Sequence, residues 1–300
     1  MLSVRFWGDR GSIPCPGPDT VLFGGNTSCL EIRAGERLII VDMGTGVRPL
    51  GEWLMANDFR NGPIDADIFI THTHWDHIMG FPMFTPVFES VNTLRIRGPV
   101  SYEDESLESI INAQLSYRYW PVRASELSAH LEYEVLKETA LDLGGGLRVT
   151  TKYLNHSILC LGYRFEYNGK SIVTAFDHEP FRNLFPTSPA DPGYNEEAAR
   201  EGELAAAEEN EKVIRFFQGA DIFIRDAQYT ESEYDQHMGW GHSSYGQAVG
   251  DAVKAGVKKM VFFHHDPNRT DVQLEQLEKE YRTKAPMETM MAREGMRVEA

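Results

Sequence analysis

The chain has 300 residues, of which 42% are hydrophobic, and a formal net charge of −16 from 29 basic and 45 acidic residues. A chain of this length buries a large core. The charge argues against a general nucleic-acid binder, because an acidic surface repels phosphate backbones unless a local basic patch intervenes. Cys15, Cys29 and Cys160 are widely spaced and odd in number, so we expect buried free thiols rather than disulfides. The sequence shows neither a signal peptide nor an apolar membrane span, which predicts a cytoplasmic protein with no membrane partner.

Apolar alternation and turn residues predict secondary structure along the whole chain. In the first half, strands are predicted over 2–7, 28–33, 38–41, 67–71 and 93–97, and helices over 47–57 and 103–118. In the second half, strands are predicted over 147–153, 160–167, 171–175, 221–225, 259–263 and 296–299, and helices over 196–217, 244–255 and 271–284. Asn168-Gly169 predicts a tight hairpin. Strand blocks alternate with helices, which predicts two sheets covered by helices on their outer faces, in a single domain from 1 to 300.

The stretch from Ile70 to His77 places three histidines and an aspartate within six positions, directly after an apolar run. Side chains alternate faces in an extended segment, so His72 and His74 are expected to point the same way. Asp76 and His77 then follow in the next turn. Neutral imidazole suits zinc, iron or nickel, and a carboxylate adds a harder ligand that offsets the charge. The stretch therefore predicts a site for two cations.

Further titratable residues follow other predicted strands, which is where rigid scaffolds usually place site residues. They are His156, Asp177, Asp226 and His264, and His242 precedes a predicted helix start at Ser243-Ser244. His265 competes with His264, but the strand register favours His264. His178 and Glu179 are expected to support the site, whereas His130 and His237 are expected to be plain surface histidines.

Several motifs carry a resemblance to a known family. His72-Thr73-His74-Trp75-Asp76-His77 resembles the HxHxDH signature of the metallo-β-lactamase fold hydrolases. Other stretches resemble the ribonuclease Z-like branch, namely Gly25-Asn26-Thr27-Ser28, Asp42-Met43-Gly44-Thr45-Gly46, Gly80-Phe81-Pro82, His156 to Arg164, His242 to Ala248 and Phe263-His264. The resemblance spans nearly the whole chain. It implies an αββα sandwich, two mixed sheets flanked by helices, with metals at the sheet edges.

The resemblance also implies a ligand set. By motif, one metal is bound by His72, His74 and His156, the other is bound by Asp76, His77 and His264, and Asp177 bridges the two. The family usually shows Thr-Gly-Asp at the bridging acid, whereas this chain has Ala175-Phe176-Asp177. Two divalent ions are expected, zinc first, with manganese or iron as alternatives because these ligands do not discriminate among them.

This ligand set predicts hydrolysis. Two neighbouring cations lower the pKa of a shared water, so that a bridging hydroxide exists near neutral pH, and they neutralise charge on a phosphoryl oxygen. His242 is expected to act as a general acid or phosphate-oxygen donor, oriented by Asp226. In ribonuclease Z a glutamate takes the Asp226 role. Asp76 completes the candidate catalytic residues.

One departure bears on the substrate. Bacterial ribonuclease Z inserts a long tRNA-gripping arm where this chain has only the hairpin residues 165–170. The missing arm makes tRNA an unlikely partner, and we expect a phosphodiesterase acting on a small phosphodiester or a cyclic nucleotide. Residues 8–12 and 180–200 are expected to shape its pocket, with Arg10 either touching a phosphate or making a structural salt bridge.

Other functions stay open on the sequence. They are a carboxylic ester, lactone or thioester hydrolase of the same fold, an RNA 3′-processing nuclease, and a non-catalytic, metal-stabilised binding protein. A homodimer is expected only by analogy with relatives.

Overall fold

The structure, a computed structural model, describes residues 1–101 and 105–300 and contains two seven-stranded sheets. The first sheet has the order β14-β1-β2-β3-β4-β5-β6 and contains β1 (Leu2–Gly8), β2 (Cys29–Ala34), β3 (Arg37–Val41), β4 (Asp65–Phe69), β5 (Thr93–Gly98), β6 (His130–Val135) and β14 (Arg297–Glu299). The second has the order β13-β12-β11-β10-β9-β8-β7 and contains β7 (Ala140–Asp142), β8 (Leu147–Leu154), β9 (Cys160–Tyr167), β10 (Lys170–Ala175), β11 (Ile222–Asp226), β12 (Lys259–Phe263) and β13 (Glu288–Met291). In each sheet four neighbouring strands are parallel, β3 to β6 and β10 to β13.

Seven helices accompany the sheets within the described residues. They are α1 (Val47–Ala56), α2 (Trp75–Ile78), α3 (Leu107–Ala113), α4 (Glu196–Phe217), α5 (Glu231–His237), α6 (Tyr245–Ala255) and α7 (Asp271–Lys284). Polar side chains begin several of them: Asn195 accepts a hydrogen bond from the Ala198 amide at the start of α4, and Ser244 accepts one from Gln247 in α6. Such caps satisfy amides that have no partner inside the helix. None of these helices has the length and apolarity needed to cross a bilayer.

The apolar faces divide the molecule into four layers. The sheets face each other across a core that includes Phe69 from β4, Phe165 from β9 and Phe263 from β12. A second core lies under α1 and α3 on the outer face of the first sheet, and a third lies under α4, α6 and α7 on the outer face of the second. The predicted αββα sandwich is therefore confirmed, because both sheets bury side chains on both faces.

Two contacts join the sheets at the edge where the parallel strands end. The Tyr163 hydroxyl of β9 donates to the carbonyl of Ile70, just beyond β4, over 2.6 Å. The Leu161 amide donates to the carbonyl of Thr71 over 2.8 Å. The chain that leaves β4 is thus held against the second sheet, and this contact brings residues from both sheets to one place.

Most predicted elements are present, with several corrections. The bounds of β9, β12, α4 and α7 match the prediction, and left-handed φ angles of 50° at Asn168 and 73° at Gly169 form the predicted tight turn. The predicted helix 103–118 is short, because a Ser106 capping box starts α3 at Leu107 and turns replace the helix after Ala113. The start of that prediction, residues 103 and 104, lies outside the described residues.

Sequence reasoning missed β6, β7, β13, α2 and α5. The two strands β6 and β7 contain no fully buried residue, so their apolar pattern is weak. Helices α2 and α5 span only 4 and 7 residues, which is too short for a helical period to be visible.

Candidate metal centre

The histidine-rich stretch leaves β4 earlier than predicted. The strand ends at Phe69, not at residue 71. Beyond it, the amide of Thr71 is hydrogen-bonded to the buried carboxylate of Asp42 rather than to a neighbouring strand. The Thr71 amide donates to Oδ1 of Asp42 over 2.7 Å, and its hydroxyl lies 2.9 Å from Oδ2. The chain bends there, and α2 begins at Trp75. His72 and His74 still converge, with Nε2 of His72 3.0 Å from Nδ1 of His74.

Four side chains form the first candidate group. His72, His74, His156 and Asp177 place their ligand atoms within 4.8 Å of one another. Nε2 of His156 lies 3.1 Å from Nδ1 of His74. Oδ2 of Asp177 lies 3.5 Å from Nε2 of His72 and 3.7 Å from Nε2 of His156.

The second group shares Asp177 with the first. Its other members are Asp76, His77 and His264, and the ligand atoms again lie within 4.8 Å of one another. Nε2 of His264 is 3.0 Å from Oδ2 of Asp76, 3.2 Å from Nε2 of His77 and 3.2 Å from Oδ1 of Asp177. The structure thus brings together all seven residues that the sequence proposed as ligands, although they come from four separate parts of the chain.

The donor atoms fit divalent cations. In a tetrahedral zinc site with bonds of about 2.0–2.1 Å, neighbouring nitrogens stand about 3.3 Å apart, close to the 3.0–3.2 Å between these imidazole nitrogens. Oδ1 of Asp177 is buried and accepts no hydrogen bond from the described residues. Burial lowers the pKa of His72, and lowers that of His156 to about 4, so both rings are neutral, as metal ligands must be.

The second group carries an excess of negative charge. Burial opposes protonation of His77, but Asp76, Asp177 and Asp42 outweigh it and raise the pKa of this histidine. The pKa of Asp177 lies well below its usual range, since His264, His77 and His72 outweigh the effect of burial. A cation bound between these carboxylates would supply the positive charge that the protonated imidazole supplies without it.

Three residues that follow strands adopt left-handed backbone angles. Asp42 has φ of 62°, Asp177 has φ of 49° and His264 has φ of 59°. Such angles cost residues other than glycine about 1–3 kcal/mol each and gather at functional sites. Here they turn each side chain off the line of its strand and towards the shared cluster.

Asp42 supports the metal centre through the ligand His77, and sequence reasoning assigned Asp42 no role. It is fully buried, accepts a hydrogen bond from Nδ1 of His77 over 2.7 Å, and accepts another from the Ser28 hydroxyl over 3.0 Å. A carboxylate at this nitrogen fixes the ring orientation and leaves Nε2 free to bind a metal. Its position directly after the buried strand β3 was the signal, shared with the acids that were proposed.

Other contacts fix the remaining ligands. The Ser12 amide donates to Oδ2 of Asp76 over 2.7 Å, so the expected loop 8–12 does reach the site. Nδ1 of His156 donates to the carbonyl of Gly241 over 3.2 Å, and the side-chain amide of Gln228 lies 2.8 Å from Nδ1 of His264. Sequence reasoning did not find Ser12 or Gln228 as individual contacts.

His242 lies beside both groups without belonging to either. Its ring centroid is 5.2 Å from that of His264 and 5.4 Å from that of His156. Nδ1 lies 3.2 Å from Oδ2 of Asp226, and the hydrogen bond to this carboxylate raises the pKa of His242 against the effect of burial. Buried Arg225 also binds Asp226 and neutralises it. Nε2 of His242 has no hydrogen bond to the described residues.

Glu179 holds the turn before His242. Its carboxylate accepts hydrogen bonds from the amide of Gly239 over 2.8 Å and from that of Gly241 over 3.0 Å. Gly241 has φ of 86°, and a Cβ there would overlap the His156 ring. Glu179 and His178 therefore contact residues that flank the candidate ligands and His242, in the supporting position expected from the sequence. The His178 carbonyl accepts a hydrogen bond from the Ser243 hydroxyl over 2.6 Å.

Three sequence expectations near the site need correction or refinement. Of the two roles expected for Arg10, the structure has the structural salt bridge: Arg10 is fully buried, its guanidinium lies 3.9 Å from Oδ1 of Asp271, and it donates to the carbonyls of Gly24 and Arg269. His265 is buried and hydrogen-bonded to the Ala292 carbonyl over 3.0 Å. His237 is half-buried rather than a plain surface residue, because its ring stacks on Tyr229 at 4.3 Å. His130 is exposed, as expected.

Comparison with known proteins identifies the class. The sequence-family model of the metallo-beta-lactamase superfamily matches residues 22–214. This is more than half of the chain, and the chain belongs to that superfamily as a metal-dependent hydrolase. The predicted fold and the ribonuclease Z-like resemblance are confirmed.

Individual relatives are more distant. The chain is 28% identical over 244 residues to ribonuclease Z of Exiguobacterium sibiricum, covering 72% of this chain and 76% of that protein. Among solved structures, the metallo-beta-lactamase fold protein YhfI from Bacillus subtilis is similar with a TM-score of 0.65 and 19% identity, covering 100% of this chain and 99% of that one. A diphosphatase of the PhnP family is similar with a TM-score of 0.62 and 16% identity, covering 100% and 98%. The ribonuclease Z relatives give no support to the expectation that tRNA is an unlikely partner.

Proposed function

We propose that this chain is a dinuclear phosphodiesterase that acts on a small phosphodiester or a cyclic nucleotide. One metal would be held by His72, His74 and His156 and the other by Asp76, His77 and His264, with Asp177 shared between them. The buried Oδ1 of Asp177, which accepts no hydrogen bond from the described residues, supports this shared role. This imidazole-rich set suits zinc, with manganese or iron as alternatives. Cations bound there would activate water and neutralise charge on the phosphoryl oxygens.

The observation that carries the proposal is the pair of His242 and Asp226. Esters with good leaving groups need no proton donor, whereas an alkoxide leaving a phosphodiester does. His242 lies beside both candidate groups, its Nε2 has no hydrogen bond to the described residues, and its Nδ1 lies 3.2 Å from Oδ2 of Asp226. When water adds to phosphorus and the ester P–O bond breaks, Nε2 would give a proton to the departing oxygen and regain one from solvent.

The experiment compares His242→Gln with the parent protein on bis(p-nitrophenyl) phosphate, an alkyl phosphodiester and a thioester, after metals are stripped and zinc, manganese or iron is restored. We expect the kcat of His242→Gln for the alkyl phosphodiester to be about 10²–10⁴-fold lower than that of the parent protein. Its kcat for the thioester should change little, and its metal content should stay at two ions per chain. His130→Gln on exposed β6 is the control. Intact alkyl phosphodiesterase activity in His242→Gln would refute the role of His242.

A second candidate, RNA 3′ processing, is favoured by the relatives named ribonuclease Z. The chain lacks an inserted arm between β9 and β10, where the turn is Asn168-Gly169. Cleavage of a tRNA precursor at its 3′ end by the zinc-loaded protein, at rates above those for small diesters, would select this candidate over the first.

A further inference from the structure

An apolar cleft lies beside the metal centre. Its volume is about 830 Å³, and six of the residues that line it are Trp75, Met79, Met83, Ile110, Tyr119 and Trp120. Pockets for small ligands usually range over about 300–1,000 Å³, so the cleft has room for a substituent of a substrate.

The cleft is lined by residues next in the chain to candidate ligands. Thr73 and Trp75, which line it, alternate along the chain with His74 and Asp76, and Ile158 lies two residues after His156. Trp75 is the first residue of α2 and is 73% exposed, whereas the neighbouring Asp76 is 6% exposed. Helix α2 therefore turns its carboxylate towards the metal centre while leaving its indole outside.

Some of the apolar side chains that line the cleft are exposed to solvent. Tyr119 is 73% exposed and Met83 is 45% exposed. Leaving large apolar side chains exposed to water is unfavourable in free energy, and a cluster of them commonly marks a binding site.

The charge of the lining selects the type of ligand. Among the described residues that line the cleft, Glu105 is the one charged side chain, and no lysine or arginine lines it. A polynucleotide would bring a phosphate every nucleotide and needs basic contacts along its path. This lining offers none, and its carboxylate would repel a second phosphate.

We propose that the apolar cleft binds an uncharged aromatic or apolar substituent of the substrate, so that the preferred substrate is a monoanionic phosphodiester with one such group. The inference rests on the proposed phosphodiesterase function and adds its specificity. The phosphoryl group would lie at the metal centre, and the ring would lie against Trp75 and Tyr119.

Two non-hydrolysable probes test this inference without turnover. Methyl(phenyl)phosphinate and dimethylphosphinate carry the same charge and differ in that a phenyl ring replaces one methyl group. Isothermal titration of the zinc-loaded protein should show that the phenyl compound binds about tenfold or more tightly, as expected for burying one aromatic ring.

Two variants and a matched control locate the effect. Tyr119→Ala should reduce the phenyl preference at least about threefold, and Met83→Glu, which adds a carboxylate to the cleft, should abolish it. Tyr117→Ala is the control, because Tyr117 is 67% exposed, lies two residues away and does not line the cleft. It should keep the full preference.

The outcomes separate the two proposals. Equal binding of the two phosphinates, or a preference unchanged in Tyr119→Ala and Met83→Glu, overturns the inference even if bis(p-nitrophenyl) phosphate is hydrolysed. Hydrolysis of a thioester without that of any phosphodiester overturns the proposed function instead. A single-stranded RNA whose affinity falls in Met83→Glu as much as that of the phenyl compound would show that the cleft takes a polynucleotide, which also overturns the inference.

Discussion

The two sheets contribute to the site in different ways. The first sheet supplies four candidate ligands from one short stretch, His72 to His77, and orients His77 through Asp42. The second supplies single residues from separate strand ends and loops, including His156, Asp177 and His264. A local motif is compact in sequence, whereas the dispersed half exists only because β8, β10 and β12 run in the same direction and end at the same edge of the second sheet.

Each half also contains a fully buried carboxylate that holds a histidine. Asp42 holds His77 with neutral hydroxyl and amide groups around it, whereas Asp226 holds His242 and is paired with Arg225. A bare carboxylate makes its imidazole a better metal ligand, and a neutralised one orients a ring that must give up a proton. This contrast is what the following variants test.

The largest effect is expected from Asp177→Ala, because Asp177 is the residue shared by both candidate groups. Both metal sites should be lost. Activity should fall further than the roughly 10–100-fold loss that is typical when a residue supporting a metal ligand is mutated. Elemental analysis and phosphodiester turnover measure this, with Asp191→Ala in an exposed turn as the control. If Asp177→Ala kept two ions per chain, the two halves would be independent sites.

Asp42→Asn and Asp226→Asn should differ in kind. We expect Asp42→Asn to weaken binding of one metal by about 10–100-fold, because the amide cannot satisfy all the donors around it. Asp226→Asn should lower kcat and leave metal affinity unchanged. Chelator competition and kinetics measure the pair, and Asp65→Asn on the edge of β4, paired with Arg95, is the control. Similar loss of metal in both variants would refute the contrast.

The smallest effect is expected from Glu233, which supports the candidate ligand His264 indirectly through Arg269 and Gln228. Glu233 binds Arg269, which also donates to the carbonyl of Gln228, the residue beside His264. The hydrogen bond from Arg269 lowers the pKa of Glu233 to about 2, so its contribution to stability is present above the unfolded pKa of about 4.3 and is lost as the pH falls towards 2.

Because Glu233 is partly exposed, Glu233→Gln should lower the free energy of unfolding by only about 0.5–1 kcal/mol at pH 7. The difference from the parent protein should vanish near pH 2–3, as urea titrations at several pH values would show. Glu203→Gln, at an exposed position of α4 with no salt bridge to the described residues, should show no difference at either pH. A deficit of Glu233→Gln that grew as the pH fell would contradict the assignment.

Sequence alone determined the local features. The hairpin turn, the bounds of α4 and α7, and the six-residue histidine motif depend on neighbouring residues, so their patterns are visible without the fold. The dispersed candidates His156, Asp177 and His264 could be named because each follows a buried strand, and the family resemblance grouped them.

Only the tertiary structure decided the rest. Asp42 reaches His77 across 35 positions, Arg225 neutralises Asp226 inside the core, and the Ser12 amide meets Asp76 across 64 positions. The apolar cleft is built by residues between 73 and 158 that come from several separate segments of the chain. Such contacts arise where the two sheets pack and their strands end together, and no periodicity in the chain records which distant side chains meet there.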